Sequence, residues 1–235
     1  KNGKINFIGN PDDRIKEDYL RILRYVRFFL NYSNIPHDEK IKKVIKQNIH
    51  GVKNLSKERL IDELKKIFIS KKLPSLAKDP FMVELIKLIF PELHNIEIFK
   101  NLNDQAIKLL PSKDFIFLIS VALIDNSENS DYFLFKYNIS NKEKNRIKFI
   151  KNYYNKIFEK NFFTEKNLNR IYYYNGFSYI EDLIDFKIFN SKKINKNLNE
   201  LKQLYINMPK PVFPIKASYL INNFKLKEGK NLGDK

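Results

Sequence analysis

Apolar residues recur at spacings of three and four along nearly the whole chain, the signature of amphipathic helices, and no stretch alternates strictly with a period of two. The first stripe is Ile15, Tyr19, Ile22, Leu23, Val26 and Leu30, and Asn10-Pro11-Asp12-Asp13 ahead of it supplies a turn residue, a proline for the first helical position and two acids for the positive end of the dipole. The spacing predicts one helix from there to about Phe29. A second runs from about His37 to His50, with Gly51 as its stop, and a third starts at Ser56, whose hydroxyl suits an N-cap while Glu58 complements the dipole. Further helices are expected near 81–90, 96–110, 113–125, 131–158, 164–174, 177–189, 195–207 and 216–224. Residues 115–124 and 131–137 are apolar enough for strands, but hairpin turns are missing around them, which favours buried helices. The fold class read from this pattern is all-α and multi-helical.

Composition narrows the function more than the fold. The 235 residues hold no cysteine, which removes thiol nucleophiles, disulfides and thiolate-bound zinc. Forty-four Lys and Arg against 27 Asp and Glu leave a formal charge of +17, a balance that suits a polyanionic partner, although a lysine-rich genome would give the same number. No apolar run reaches the roughly 18 residues of a membrane span, so no membrane partner and a cytoplasmic location are expected. The opening Lys1-Asn2-Gly3-Lys4-Ile5 has neither an initiator methionine nor a signal-peptide core, and Gly229 to Lys235 ends on a loop-like signal; both suggest an interior piece of a longer protein.

Only seven of the basic residues are arginine, and four of those, Arg14, Arg21, Arg24 and Arg27, fall within fourteen positions. A guanidinium presents paired donors in a plane, which suits phosphates, carboxylates and base edges better than an ammonium does. On the predicted first helix Arg14, Asp18, Arg21 and Tyr25 form a second stripe beside the apolar one. Asp18 and Arg21, one turn apart, could take an exocyclic amino group and a ring acceptor of one base; an ordinary surface salt bridge is the plainer alternative. For metals the chain offers little: Asp12-Asp13 and Asp125 lack partners at ligand spacing, and His37-Asp38 is a weak hint of a phosphohydrolase in a chain with three histidines, with helix capping by Asp38 the simpler reading.

The run from Phe7 to Phe28, Phe7-Ile8-Gly9-Asn10-Pro11-Asp12-Asp13-Arg14-Ile15-Lys16-Glu17-Asp18-Tyr19-Leu20-Arg21 and onward, resembles the neck entry of class II tRNA nucleotidyltransferases, the CCA-adding enzymes and the related bacterial poly(A) polymerases. The family's Glu-Asp-x-x-Arg motif falls on Glu17, Asp18 and Arg21, and the resemblance implies that the Asp and Arg read the base of incoming CTP or ATP. Leu55 to Leu64 resembles the next motif, a helix start that braces the neck. The supporting residues are then Arg14, Arg24, Arg27, Ser56, Glu58, Arg59 and Glu63, with Arg59 expected to tie its helix to the neck. Pro80 to Leu93 resembles the body, and Pro211-Val212-Phe213-Pro214 with Lys227 to Gly233 resembles the tail.

The resemblance implies an elongated all-helical neck, body and tail, divided as the end of a linker (1–12), neck (13–75), body (76–150) and tRNA-binding tail (151–235). It further implies catalysis in a head of the same polypeptide ahead of Lys1, where an Asp-x-Asp pair holds Mg2+. This chain alone should then be inactive and hold no metal, its partners being tRNA, CTP, ATP and that head. Two other readings stay open: poly(A) polymerase activity, and a stand-alone helical RNA-binding or adaptor module. Tyr153, Tyr154, Tyr172, Tyr173 and Tyr174 read as packed core or amphipathic surface before they read as base-stacking platforms.

Overall fold

A computed structural model describes residues 3–193, 196–209 and 217–224. Among them are fourteen α-helices and no strand: α1 Pro11–Glu17, α2 Arg21–Tyr32, α3 Glu39–Asn48, α4 Lys57–Phe68, α5 Leu73–Lys78, α6 Pro80–Ile89, α7 Asp104–Leu109, α8 Phe115–Leu123, α9 Asn129–Lys136, α10 Asn141–Tyr153, α11 Glu165–Asn175, α12 Phe177–Phe189, α13 Lys196–Ile206 and α14 Ala217–Phe224. Short 3-10 segments at Ile49–Asn54, Ile96–Asn101, Leu110–Ser112 and Lys156–Phe158 connect them. The tail stretches Pro211 to Pro214 and Lys227 to Gly233 lie outside the described residues.

Side-chain caps set seven of the helix starts. Asn10 accepts from the Asp12 amide at 3.0 Å, Asp38 from Lys40 at 2.9 Å, Ser56 from Arg59 at 3.4 Å, Asp79 from Met82 at 3.0 Å and Asp114 from Phe117 at 2.8 Å, each satisfying an amide that the helix leaves without a partner. Asp38 is thus a cap, the simpler of the two readings of His37-Asp38.

Five expectations need correction. The helix expected near 96–110 is a 3-10 segment, Ile96–Asn101, followed by α7, which starts afresh where Asn103 accepts the Ala106 amide at 3.0 Å. The helix expected from Asn10 to Phe29 is two, because Asp18 leaves it in an extended conformation (φ −152°, ψ 102°) and turns its carboxylate back to accept the Leu20 amide at 3.2 Å. A short acceptor side chain competes there with the helical ladder. The helix expected over 131–158 breaks before Ser140, where Ser140 and Glu143 close a reciprocal capping box and start α10 afresh. Helix α5 was not expected; Pro74 stands in its first turn and Leu73, Leu76 and Ala77 are buried. Gly51 is not a helix stop but a point of close approach inside a 3-10 segment, where an added Cβ would run into the Tyr19 ring.

Helix α8, the stretch that could have been a strand, is buried at all nine positions and forms the centre of the molecule. It packs against α4, α9, α10, α12 and the 96–101 segment, and one continuous apolar cluster runs from Ile15 to Tyr205. Buried charges join the later helices to this centre. Arg146 of α10 grips Asp182 of α12 with two bonds, at 2.7 and 2.8 Å, and also holds Asp114; Asp185, fully buried, lies between Lys113 and Lys202. Such carboxylates are tolerated inside because each is paired. Among the described residues no helix is long and apolar enough to cross a membrane.

Candidate nucleotide-base groove

The segment Ile5–Ile8 runs alongside α1 and α2, and between them lies an open groove of about 230 Å³ lined by Ile5, Asn6, Phe7, Ile8, Arg14, Arg21, Arg24, Tyr25 and Phe28. Three of the four clustered arginines therefore face one space. The fourth, Arg27, turns away to bond Glu63 of α4, whose carboxylate is 2% exposed and also lies 3.3 Å from Lys66. Arg27 serves there as the counter-charge of a buried acid.

The two expected base readers are close in sequence but differently placed. Arg21 lines the groove, with Nη1 and Nη2 bonded to Glu17 at 2.8 and 3.2 Å and a further bond to the Arg14 carbonyl at 2.5 Å. Arg14 also holds Glu17, and these guanidinium partners, Arg21 foremost, keep the Glu17 carboxyl below the usual carboxylate range. Asp18 does not line the groove itself. Its two oxygens accept from Nη2 of Arg59 at 3.0 and 2.9 Å, and Arg24 stands 4.0 Å away on the groove side. The helix break frees Asp18 from the α1 face, so a single stripe of Arg14, Asp18, Arg21 and Tyr25 does not exist. Ser56 caps the helix that delivers Arg59, and Glu58 lies exposed in its first turn.

Tyr25, expected on that polar stripe, is 3% exposed and forms the back of the groove. Its ring stacks on Phe7 at 5.9 Å and 9° and leans on Phe29. Its hydroxyl lies 2.8 Å from His37 Nδ1, and His37 Nε2 lies 2.9 Å from Asp79. Because a carboxylate only accepts, Asp79 calls for the proton on Nε2, which leaves Nδ1 to accept from Tyr25. Burial pushes the Tyr25 phenol well up, whereas Asp79, raised by burial, is drawn below its ordinary value by His37 and the Met82 and Phe81 amides. The groove wall is thereby tied through α2 to the start of α6. Sequence reasoning missed Phe7, Phe28 and His37 as parts of the site, and it put Tyr25 on a polar stripe where the structure makes it a buried wall; the aromatic residues just before and within the arginine helix were the available signal.

Among the described residues no three His, Asp or Glu side chains come together to hold a metal ion, so the Mg2+ that the resemblance implies has no set of ligands there.

Residues 37–97 match a family model described as the probable RNA and SrmB-binding site of polymerase A. The human mitochondrial CCA tRNA nucleotidyltransferase 1 is 45% identical over 71 residues, 29% of this chain and 16% of that protein. The CCA-adding enzyme of Staphylococcus haemolyticus is 28% identical over 214 residues, 87% of this chain and half of the other, and that of Staphylococcus saprophyticus is 30% identical over 152 residues, 63% of this chain and 35% of the other. A solved CCA-adding enzyme in complex with ATP shares the fold, with a TM-score of 0.55 at 19% identity over 95% of this chain and 55% of that one. The chain is similar in sequence and in fold to CCA-adding enzymes. It spans half or less of the length of the curated relatives it matches.

The family-model match covers α3 to α6, and with them Arg59 and Glu63, whereas the arginine groove lies before it. The later helices add charge of a different kind. After Arg59 only Arg146 and Arg170 remain, and Arg146 is consumed by Asp182 and Asp114. Of the tyrosines, Tyr172 is buried with its hydroxyl donating to the Met208 carbonyl at 2.6 Å, Tyr153 and Tyr154 are half-buried, and Tyr173 and Tyr174 are exposed.

Proposed function

We propose that this chain is the base-selecting and tRNA-binding part of a CCA-adding nucleotidyltransferase, which extends the tRNA 3′ end from CTP and ATP. The observation that carries this reading is the groove in which Arg21 lies beside Arg14 and Arg24, with Asp18 at its edge. An incoming base would donate its exocyclic amino group to the Asp18 carboxylate and accept from the Arg21 guanidinium, an ordered donor and acceptor pair of the kind that separates cytosine and adenine from uracil and guanine. In the structure both readers are held by neighbours instead, Arg21 by Glu17 and Asp18 by Arg59. These pairs reach the solvent, and exchanging such a pair for a base edge costs little. Glu17 and Arg59 so act as positioning residues that keep the readers extended and ready.

Transfer itself is assigned to a head of the same polypeptide that holds Mg2+, and we expect the chain alone not to turn over. The lysine-rich surface of the later helices, poor in arginine, suits phosphate neutralisation more than base reading, in keeping with a grip on the tRNA backbone. We place the protein in the cytoplasm, although the human and mouse relatives are mitochondrial by name. Because the matching family model is described for polymerase A, poly(A) addition is the second reading. The complete enzyme, given a tRNA transcript lacking CCA and an unrelated RNA of equal length, decides between them. Addition of two C and one A to the tRNA alone supports our reading; long A tracts on both RNAs would replace it with the second.

A further inference from the structure

We propose that a second groove, on a different set of walls, takes an unpaired nucleotide of the RNA. It lies between the 3-10 segment Ile49–Asn54, the start of α4, the end of α6 and the end of α9, and has a volume of about 540 Å³. This inference rests on the reading of the chain as an RNA binder and assigns a place to that binding.

The lining is cationic at the rim and apolar at the floor. His50, Lys53, Lys57 and Lys136 stand around it, and no carboxylate belongs to the lining. Lys136 is already paired with Glu92 at 2.9 Å, so the cations offered to a ligand are Lys53 and Lys57, both exposed. Among the apolar residues of the lining Leu88 is 55% exposed and so open to a ligand. An acid-free lysine rim over an apolar floor complements a phosphate joined to a ribose and base, with the ammonium groups as point charges for the phosphate and the floor for the base. A volume of about 540 Å³ is of the size that takes a nucleotide-sized ligand. Two further observations are in keeping with RNA as the occupant. The groove residues from Ile49 to Pro91 fall inside the segment matched by a family model described as a probable RNA and SrmB-binding site, and the net charge of +17 suits a polyanion. The groove shares no lining residue with the arginine groove, so it would hold the RNA and not the incoming nucleotide.

The test is RNA binding by the 235-residue chain, titrated between 50 and 300 mM salt against a labelled tRNA transcript and against a blunt RNA duplex of similar length. Three variants are compared: Lys53→Glu with Lys57→Glu, Leu88→Asp, and the control Lys108→Glu with Lys142→Glu, which changes the same charge at two exposed sites on α7 and α10. Lys57→Glu puts an acid in the first turn of α4, where the helix tolerates it well, and Leu88 is exposed enough to accept a polar residue, so all three should fold; melting curves check this. The groove charge variant should bind tRNA about tenfold or more weaker, with the slope of log affinity against log salt flatter by about one to two. Leu88→Asp should weaken tRNA binding and leave the duplex alone, and the control should weaken both RNAs by less than threefold. Equal losses in the groove and control variants would overturn the subsite, as would groove variants that bind like the parent; the apolar floor would then belong to a protein partner. If the parent chain itself bound neither RNA at 50 mM salt, the broader RNA-binding reading would fall with it.

Discussion

At the scale of single residues, the informative finding is that each expected base reader already has a partner. Arg59 was expected to tie its helix to the neck; its guanidinium lands on both oxygens of Asp18, the carboxylate proposed to read the base. Since that pair is 46% and 21% exposed, it contributes at most about 0.2–1 kcal/mol to stability. Arg59→Lys should therefore lower the melting temperature of the complete enzyme only slightly, yet loosen Asp18 and weaken discrimination between CTP and UTP. A marked loss of stability with discrimination intact would return Arg59 to a purely structural role. Tyr25 offers the contrasting case. Tyr25→Phe removes a hydroxyl from a buried chain and leaves His37 Nδ1 without its donor, a loss of about 1–3 kcal/mol, so the melting temperature should fall by several degrees. An unchanged melting curve would mean that the hydroxyl contributes nothing. The identity of Glu17, Asp18 and Arg21 as a motif was legible from their order along the chain. Their partners were not, because Arg59 and Asp18 stand 41 positions apart and meet only through the packing of α4 against α2.

At the scale of elements, periodicity located most helices and failed where a side chain overrides it. α12 begins and ends where the pattern of apolar residues placed it, and Gly176 before it explains why: its φ of +84° favours glycine and lets one helix end as the next begins. The breaks at Asp18 and Ser140 run against the stripe, since both come from polar side chains competing for backbone amides; the Ser140 and Glu143 spacing was a readable signal, whereas the turn at Asp18 depends on the Leu20 amide and on Arg59. α5 escaped notice because six residues are too few for a period to show. Gly51 gives a test at this scale. Gly51→Ala should displace the Tyr19 ring and cost about 1–3 kcal/mol, with a matching fall in melting temperature, whereas a simple helix stop without positive φ would accept alanine at no loss.

At the scale of the whole molecule, charge governs both stability and the proposed grip on RNA. Burial would raise Asp79, Asp114 and Glu181, but their partners, His37, Arg146 and the Lys113 and Lys202 pair, hold all three below the ordinary values. A carboxyl with a depressed folded-state pKa lends stability above its unfolded value near 4 and loses it as pH falls through the folded value. The melting temperature should thus stay level from pH 7 to about 5 and drop below about 4, and Asp114→Asn should flatten the acid limb; a steady decline from pH 7 would point to other groups. The measurement closest to the central claim is single-turnover incorporation of CTP, ATP, UTP and GTP by the complete enzyme carrying Asp18→Ala. Loss of one acceptor at the base edge should cut discrimination by an amount equivalent to about 1–3 kcal/mol while the protein stays folded. Parental nucleotide preference in that variant would show that Asp18 and its guanidinium neighbours form only a surface salt-bridge cluster, and that the base is read elsewhere.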